Sequence, residues 1–151
     1  MEKKMNNKGF SLVELIIVVA IMAVLIGVLA PAYLQYVEKS KKTSDASAVG
    51  SVMDAIDIIA ADPAIDWTTG TVDVTFSSSA CTYAGPSEAV AQLKTIVPEA
   101  DCMVTGSWTG GASAFNFKAS KDTNGNVKFT PDGTLPTELP DISAKLNSRY
   151  N

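Results

Sequence analysis

An uncharged apolar stretch near the N-terminus limits most strongly what this chain can fold into. Residues 15–37 contain no Asp, Glu, Lys or Arg over 23 positions. As a helix the stretch would be about 34 Å long, enough to cross a hydrocarbon core of ~30 Å. The run is also longer than the apolar core of an ordinary secretory signal, which spans about 7–15 residues. The sequence therefore predicts a membrane-spanning helix.

A single acid, Glu14, stands directly before this stretch. A carboxylate at bilayer depth costs about 2.5–3.5 kcal/mol on insertion scales, so it usually marks a function and needs a cationic partner. Three lysines precede the stretch, Lys3, Lys4 and Lys8, and three lysines follow it shortly after Val37. Because these counts are equal, charge alone does not orient the helix.

Residues 8–14, Lys-Gly-Phe-Ser-Leu-Val-Glu, and the apolar run after them resemble the class III signal of type IV pilins and the related pseudopilins. The resemblance covers roughly the first third of the chain. It implies that a membrane-embedded prepilin peptidase cuts between Gly9 and Phe10 and methylates the new amine of Phe10. It also implies that Glu14 neutralises the Phe10 amine of a neighbouring subunit during assembly, which would supply the missing cation.

The same resemblance implies a location and a set of partners. The precursor would be a single span in the cell membrane with a cytoplasmic N-terminus, and the mature chain would move to an extracellular pilus. Its partners would be identical subunits in a helical filament, the prepilin peptidase, the pilus assembly machinery and, before assembly, membrane lipid. The filament would serve adhesion, twitching motility or DNA uptake. A pseudopilin of a type II secretion-like system and a plain single-span anchor are the alternatives.

The chain is expected to contain four segments and to belong to the α+β class. These are a leader at 1–9, a transmembrane and assembly helix at 10–37, its amphipathic continuation at 38–62, and a globular head with an antiparallel sheet and a C-terminal tail at 63–151. Asp62-Pro63 should end the helix, since proline disfavours helix at the residue before it. By resemblance, the helix packs on the sheet to give a ladle-shaped pilin fold. The continuation is predicted from apolar residues at three- and four-residue spacing, Val49, Val52, Met53, Ile56, Ile59 and Ala60.

Beyond Pro63 the pattern predicts strands and one short helix. The helix should open at Pro86 and run to about Ile96. The tail, with Pro131, Pro136 and Pro140, should be irregular until a short helix after Asp141. Alternation of apolar and polar residues predicts a strand through Val72, Val74 and Phe76, and a hairpin whose arms contain Phe115 and Phe117, then Val127 and Phe129, around Asn124-Gly125.

Gly27 and Pro31 lie inside the apolar stretch, four residues apart. A proline in a helix interior removes a backbone hydrogen bond and favours a kink. By similarity to pilins, the segment between them would instead melt when subunits pack into a fibre, which would let the filament stretch.

The two cysteines, Cys81 and Cys102, are predicted to form a disulfide, because an even pair on the outer side of a membrane persists in oxidised form. The bond would close a 22-residue loop and contribute around 3 kcal/mol in the chain-entropy model. Many pilins clamp a C-terminal loop with their cysteine pair, whereas residues 132–151 lie outside this loop.

The composition argues against catalysis and against nucleic-acid binding. The chain has no His, which removes Ser-His-Asp and Cys-His arrangements and His-ligated zinc. No cofactor is expected. From Thr43 onward 6 basic and 13 acidic residues give a net charge of −7, so no direct contact with nucleic acid is predicted. Residues 122–126 faintly resemble a calcium loop, but a tight turn explains them without metal. Trp67 and Trp108 are expected in core or rim packing.

Overall fold

The computed structural model describes residues 9–67, 70–106, 114–122 and 124–132 of the 151-residue chain. The chain divides into two compact units, Met1–Val37 and Glu38–Asn151. The predicted α+β class is confirmed, since the described residues contain a long N-terminal apolar helix and a small antiparallel sheet. The predictions for Trp108 and for residues 133–151 of the C-terminal tail fall outside the described residues.

Helix α1 spans Leu12–Ala61 and includes 50 residues. It continues as helix through Gly27 and Pro31, so neither residue ends it. Within the described residues, α1 is the one helix long and apolar enough to cross a membrane. The first part of α1, up to Tyr36, is exposed in the single chain. This exposure is expected for an apolar helix surface that lies in lipid.

The second part of α1 has one buried face. The six apolar residues predicted to form a stripe are all buried, while Asp54 is exposed and Asp57 is half-buried. The helix ends at Ala61, one residue before the predicted end, and the Asp62 carboxylate accepts a hydrogen bond from the Ala64 N–H at 2.9 Å. The Lys121 ammonium donates to the Ala60 carbonyl at 2.8 Å. A cation from a distant strand therefore caps the negative end of the helix.

The described strands form a four-stranded sheet in the order β2-β1-β3-β4, with every neighbouring pair antiparallel. Their bounds are β1 Val72–Ser77, β2 Cys81–Ala84, β3 Ala114–Lys121 and β4 Val127–Asp132. The predicted strand is β1, and the predicted hairpin is β3–β4, whose register pairs Lys121 with Val127. Strand β2 was not predicted from the sequence. The prediction that Pro131 belongs to the irregular tail is wrong, since Pro131 lies in β4 and pairs with Phe117. Proline is accepted there because β4 is an edge strand of the described sheet.

One hydrophobic cluster joins the second part of α1 to the sheet. Strand β1 contributes Val72, Val74 and Phe76 from its alternating buried positions. The ring centroids of Phe76 and Phe117 are 5.7 Å apart, and those of Phe117 and Phe129 are 5.6 Å apart in an edge-to-face arrangement. These contacts fix the face of the sheet on which the helix residues are buried.

Helix α2 spans Ser87–Ile96 and is the short helix predicted after Pro86. Proline suits this position because the first N–H groups of a helix have no internal partner. Ala89 and Leu93, four residues apart, are buried and belong to the hydrophobic cluster. The helix therefore packs by one narrow face.

Candidate functional site at the N-terminal turn of α1

The first turn of α1 is closed by its own acid. Ser11 directly precedes the helix, and its backbone N–H donates to Oε2 of Glu14 at 2.9 Å. The Ser11 carbonyl in turn accepts from the Leu15 N–H at 3.2 Å. This is the Ser-x-x-Glu arrangement of a capping box. In such a box, the acid three residues after the capping residue accepts a hydrogen bond from the capping residue's backbone amide. The carboxylate also lies at the positive end of the helix dipole.

The residues around this turn present apolar side chains outwards. Phe10 is 91% exposed and lies next to Gly9, which is also exposed. Within the described residues, Ser11 is the sole hydrogen-bonding partner of Glu14. The turn thus combines a hydrogen-bonded carboxylate with an exposed apolar surface, which is unfavourable in water unless lipid or another protein buries it. The exposed large apolar residues that continue this surface include Leu12, Val13, Leu15, Ile16, Ile17, Val18, Val19, Ile21 and Met22.

Comparison with known families supports the resemblance found in the sequence. Residues 4–30 match the family model of the prokaryotic N-terminal methylation motif. The chain carries the class III signal that marks precursors of type IV pilins and pseudopilins. This motif implies processing by prepilin peptidase and assembly into a multi-subunit filament. Proteins of this pilin and pseudopilin class are structural subunits, and the signal with its apolar helix fits a membrane-anchored precursor.

No curated protein and no solved structure matches the chain. The methylation-motif match includes Gly9, Phe10, Glu14 and Gly27 and stops just before Pro31.

The head of this prepilin-like chain contains the disulfide expected from the sequence. Cys81 on β2 and Cys102 are joined, and both are fully buried. We call residues 102–106 the strap. Val104 in the strap donates its N–H to the Ser77 carbonyl at the end of β1, at 3.1 Å. The strap is therefore attached to two strands of the sheet.

The strap is also attached to α1, through the buried acid Asp45. The Asp45 carboxylate is 2% exposed and accepts hydrogen bonds from the Thr105 N–H at 2.9 Å and the Gly106 N–H at 2.8 Å. The Thr105 hydroxyl donates to the same carboxylate at 3.3 Å. Gly106 has little room for a side chain, since a Cβ there would lie 3.0 Å from Asp45 Oδ2. The loop that follows the disulfide is thus tied to the helix by a charged acceptor.

A tyrosine lies against the disulfide. The Tyr83 hydroxyl on β2 donates to the Val97 carbonyl at 3.1 Å and lies 2.9 Å from Cys102 Sγ. Burial, together with the charges of Glu99 and Asp101, raises the pKa of Tyr83 to about 12. The hydroxyl therefore stays protonated and keeps donating over the whole physiological range.

The turn at residues 122–126, which faintly resembles a calcium loop, is held by hydrogen bonds to Asp122. The Asp122 carboxylate accepts from the N–H groups of Asn124 and Asn126, both at 2.8 Å, and Gly125 has a left-handed φ of 88°. The Asn126 N–H, the largest cause, lowers the pKa of the Asp122 carboxyl below its ordinary value. No group of three or more His, Cys, Asp or Glu that could hold a metal occurs within the described residues.

A cavity of about 640 Å³ lies between the loop after α1 and the β3–β4 turn. Trp67 lines this cavity and is 7% exposed, as expected for core packing. Its indole N–H is buried and has no hydrogen-bond partner among the described residues. Because that nitrogen is shielded from solvent, it does not supply a polar contact to the open cavity.

Proposed function

We propose that this chain is the precursor of a type IV pilin that is cut between Gly9 and Phe10, methylated on the Phe10 amine and polymerised into an extracellular filament. The observation that carries the proposal is the methylation motif at residues 4–30, in register with an exposed apolar helix headed by Glu14. The filament would act in adhesion, twitching motility or DNA uptake.

The energetics of the exposed helix support polymerisation. In the membrane, lipid covers the apolar side chains of residues 10–37; after the subunit leaves the bilayer, another apolar surface must replace it. A bundle of identical helices supplies that surface, since each subunit offers the same one. The charge on Glu14 would be neutralised by the new amine of Phe10 on a neighbouring subunit.

Gly27 and Pro31 have a separate role in this proposal. They are the two poorest helix formers of the apolar part. In a helix interior, Gly destabilises the helix by about 1 kcal/mol and Pro by about 3 kcal/mol relative to Ala. The segment between them would lose helical structure when subunits pack, and the fibre would then extend under load. The helix of the single chain includes both residues.

A pseudopilin of a type II secretion-like system is the second candidate, since the methylation motif occurs in both groups. A pseudopilin works as a short piston in the envelope, so it would be cut and methylated without release of long fibres. The two candidates therefore differ in one measurable product.

We expect fibres sheared from producing cells to contain this protein as a chain that begins at methylated Phe10. Its intact mass would be lower than that of the 15.9 kDa precursor by residues 1–9, with one methyl group added. Mass spectrometry and N-terminal sequencing of the sheared material test this. A cut chain found only in membranes would favour the pseudopilin, and a chain that still starts at Met1 would contradict both candidates.

Replacing Glu14 tests the charge pairing. Glu14→Val should be inserted and cut, but the amount of released fibre should fall by about tenfold or more. The reason is that the buried Phe10 amine of the neighbouring subunit loses its anionic partner. Glu14→Gln is the matched control for the hydrogen bond, since its amide oxygen still accepts from the Ser11 amide while the charge is gone. We expect both variants to fail in assembly. Normal fibre yield from Glu14→Val would exclude the proposed role.

A further inference from the structure

The backbone amide of Ser11 holds only one of the two carboxylate oxygens of Glu14. Oε2 accepts the Ser11 N–H at 2.9 Å, and Ser11 is the sole hydrogen-bonding partner of Glu14 within the described residues. An ionised carboxylate can accept about four hydrogen bonds on its two oxygens. The carboxylate is therefore fixed in direction while keeping acceptor capacity for a second donor.

We propose that Ser11 is a positioning residue for assembly, acting through this backbone amide. The amide keeps the Glu14 carboxylate at the N-terminal turn, beside Phe10, so that the amine of an incoming subunit meets an oriented acceptor. This inference rests on the proposed function, because it explains how Glu14 is presented to the amine in that function.

The need for an anchor follows from the surroundings of Glu14. Leu12 and Val13 beside it are 72% and 61% exposed, so a bilayer would surround the turn with apolar groups. A flexible acidic side chain in that setting is drawn towards water at the membrane surface and loses side-chain entropy when it is later immobilised. A hydrogen bond to a charged acceptor at the positive end of the helix opposes both effects. The pre-oriented carboxylate then loses less entropy on pairing.

Two substitutions at Ser11 separate the backbone donor from the side chain. Ser11→Ala keeps the N–H and removes only the hydroxyl, whereas Ser11→Pro removes the N–H itself. Proline is tolerated at this end of a helix, and its carbonyl still accepts from the Leu15 N–H. We expect Ser11→Pro to reduce fibre release by about tenfold relative to Ser11→Ala, the factor that fits a hydrogen bond to a charged group. Equal fibre release from the two cut variants would overturn the inference.

The hydrogen bond can be measured without assembly. Amide hydrogen exchange of the full-length precursor in detergent micelles would be followed by NMR for wild type, Glu14→Gln and Glu14→Val. We expect the Ser11 amide to exchange about tenfold faster in Glu14→Val, with Glu14→Gln between the two. The Leu15 amide is the internal control for fraying, and its rate should stay unchanged. A Ser11 rate that does not respond to Glu14→Val would overturn the inference, even where Ser11→Pro blocks cleavage.

The outcomes distinguish this inference from the function on which it rests. A chain that still starts at Met1 would contradict the proposed function itself, and normal fibres from Glu14→Val would contradict the pairing of Glu14 with the Phe10 amine, on which the role of Ser11 depends. Loss of fibres in Glu14→Val, together with normal fibres in Ser11→Pro, would leave that function standing and overturn only the role of Ser11.

Discussion

At the scale of single residues, two acids of α1 have opposite surroundings: Glu14 lies in an exposed apolar turn, whereas Asp45 is buried against the strap. Glu14 stands out because it is the one acid beside a long apolar run, and the cap with Ser11 could have been found from the Ser-x-x-Glu spacing. Asp45 sits among polar residues and resembles any solvated helix position. Its partners, Thr105 and Gly106, lie 60 and 61 residues further along the chain. Contacts at that separation leave no local pattern.

Asp45→Asn should destabilise the head, because the amide oxygen replaces only part of a charged acceptor for three donors. The free energy of unfolding should fall by about 1–3 kcal/mol, the cost of buried donors left poorly satisfied. Denaturant unfolding of the full-length chain in micelles would measure it. Asp54→Asn, on the exposed face of the same helix, is the matched control and should change stability by less than about 0.5 kcal/mol. Equal stability of the two variants would contradict the role given to Asp45.

At the scale of helices and strands, local periodicity carried most of the information. Strand β1 alternates buried and half-buried residues along its whole length, and the β3–β4 hairpin has its Asn-Gly turn at the expected place. Strand β2 gave no such signal, because it has only four residues and one of its two buried residues is a cysteine. It is defined by its pairing with β1, in which Thr75 faces Thr82 and Phe76 faces Cys81.

The link between β2 and the strap should contribute measurably to stability. The Cys81→Ala/Cys102→Ala variant should lose about 3 kcal/mol of unfolding free energy, since the open chain regains the loop entropy that the bond removes. Denaturant unfolding of wild type and variant, each with and without reductant, would measure this. Thr82→Ala, an exposed position of β2, is the control and should change little. A double variant as stable as wild type would mean that Asp45 and Val104 hold the strap without the disulfide.

At the scale of the whole molecule, the two compact units differ in how far the sequence alone can account for them. In residues 38–151 the apolar residues of helix and strands find one another within the chain and form one cluster. In the described residues 9–36 the apolar side chains are exposed, so the sequence predicts the helix but leaves its neighbours to lipid or to other subunits. The methylation motif, rather than any contact, points to those subunits.

The burial of both sulfurs determines how long the disulfide of the folded head would survive in a reducing medium. Cys81 and Cys102 are 0% exposed, so no thiol from the medium can reach either sulfur while the head is folded. Exchange requires attack on a sulfur along an open path, so reduction must wait for an opening of the surrounding core. The disulfide would thus form once, during folding, and its later reduction would be no faster than the local opening of the core around it.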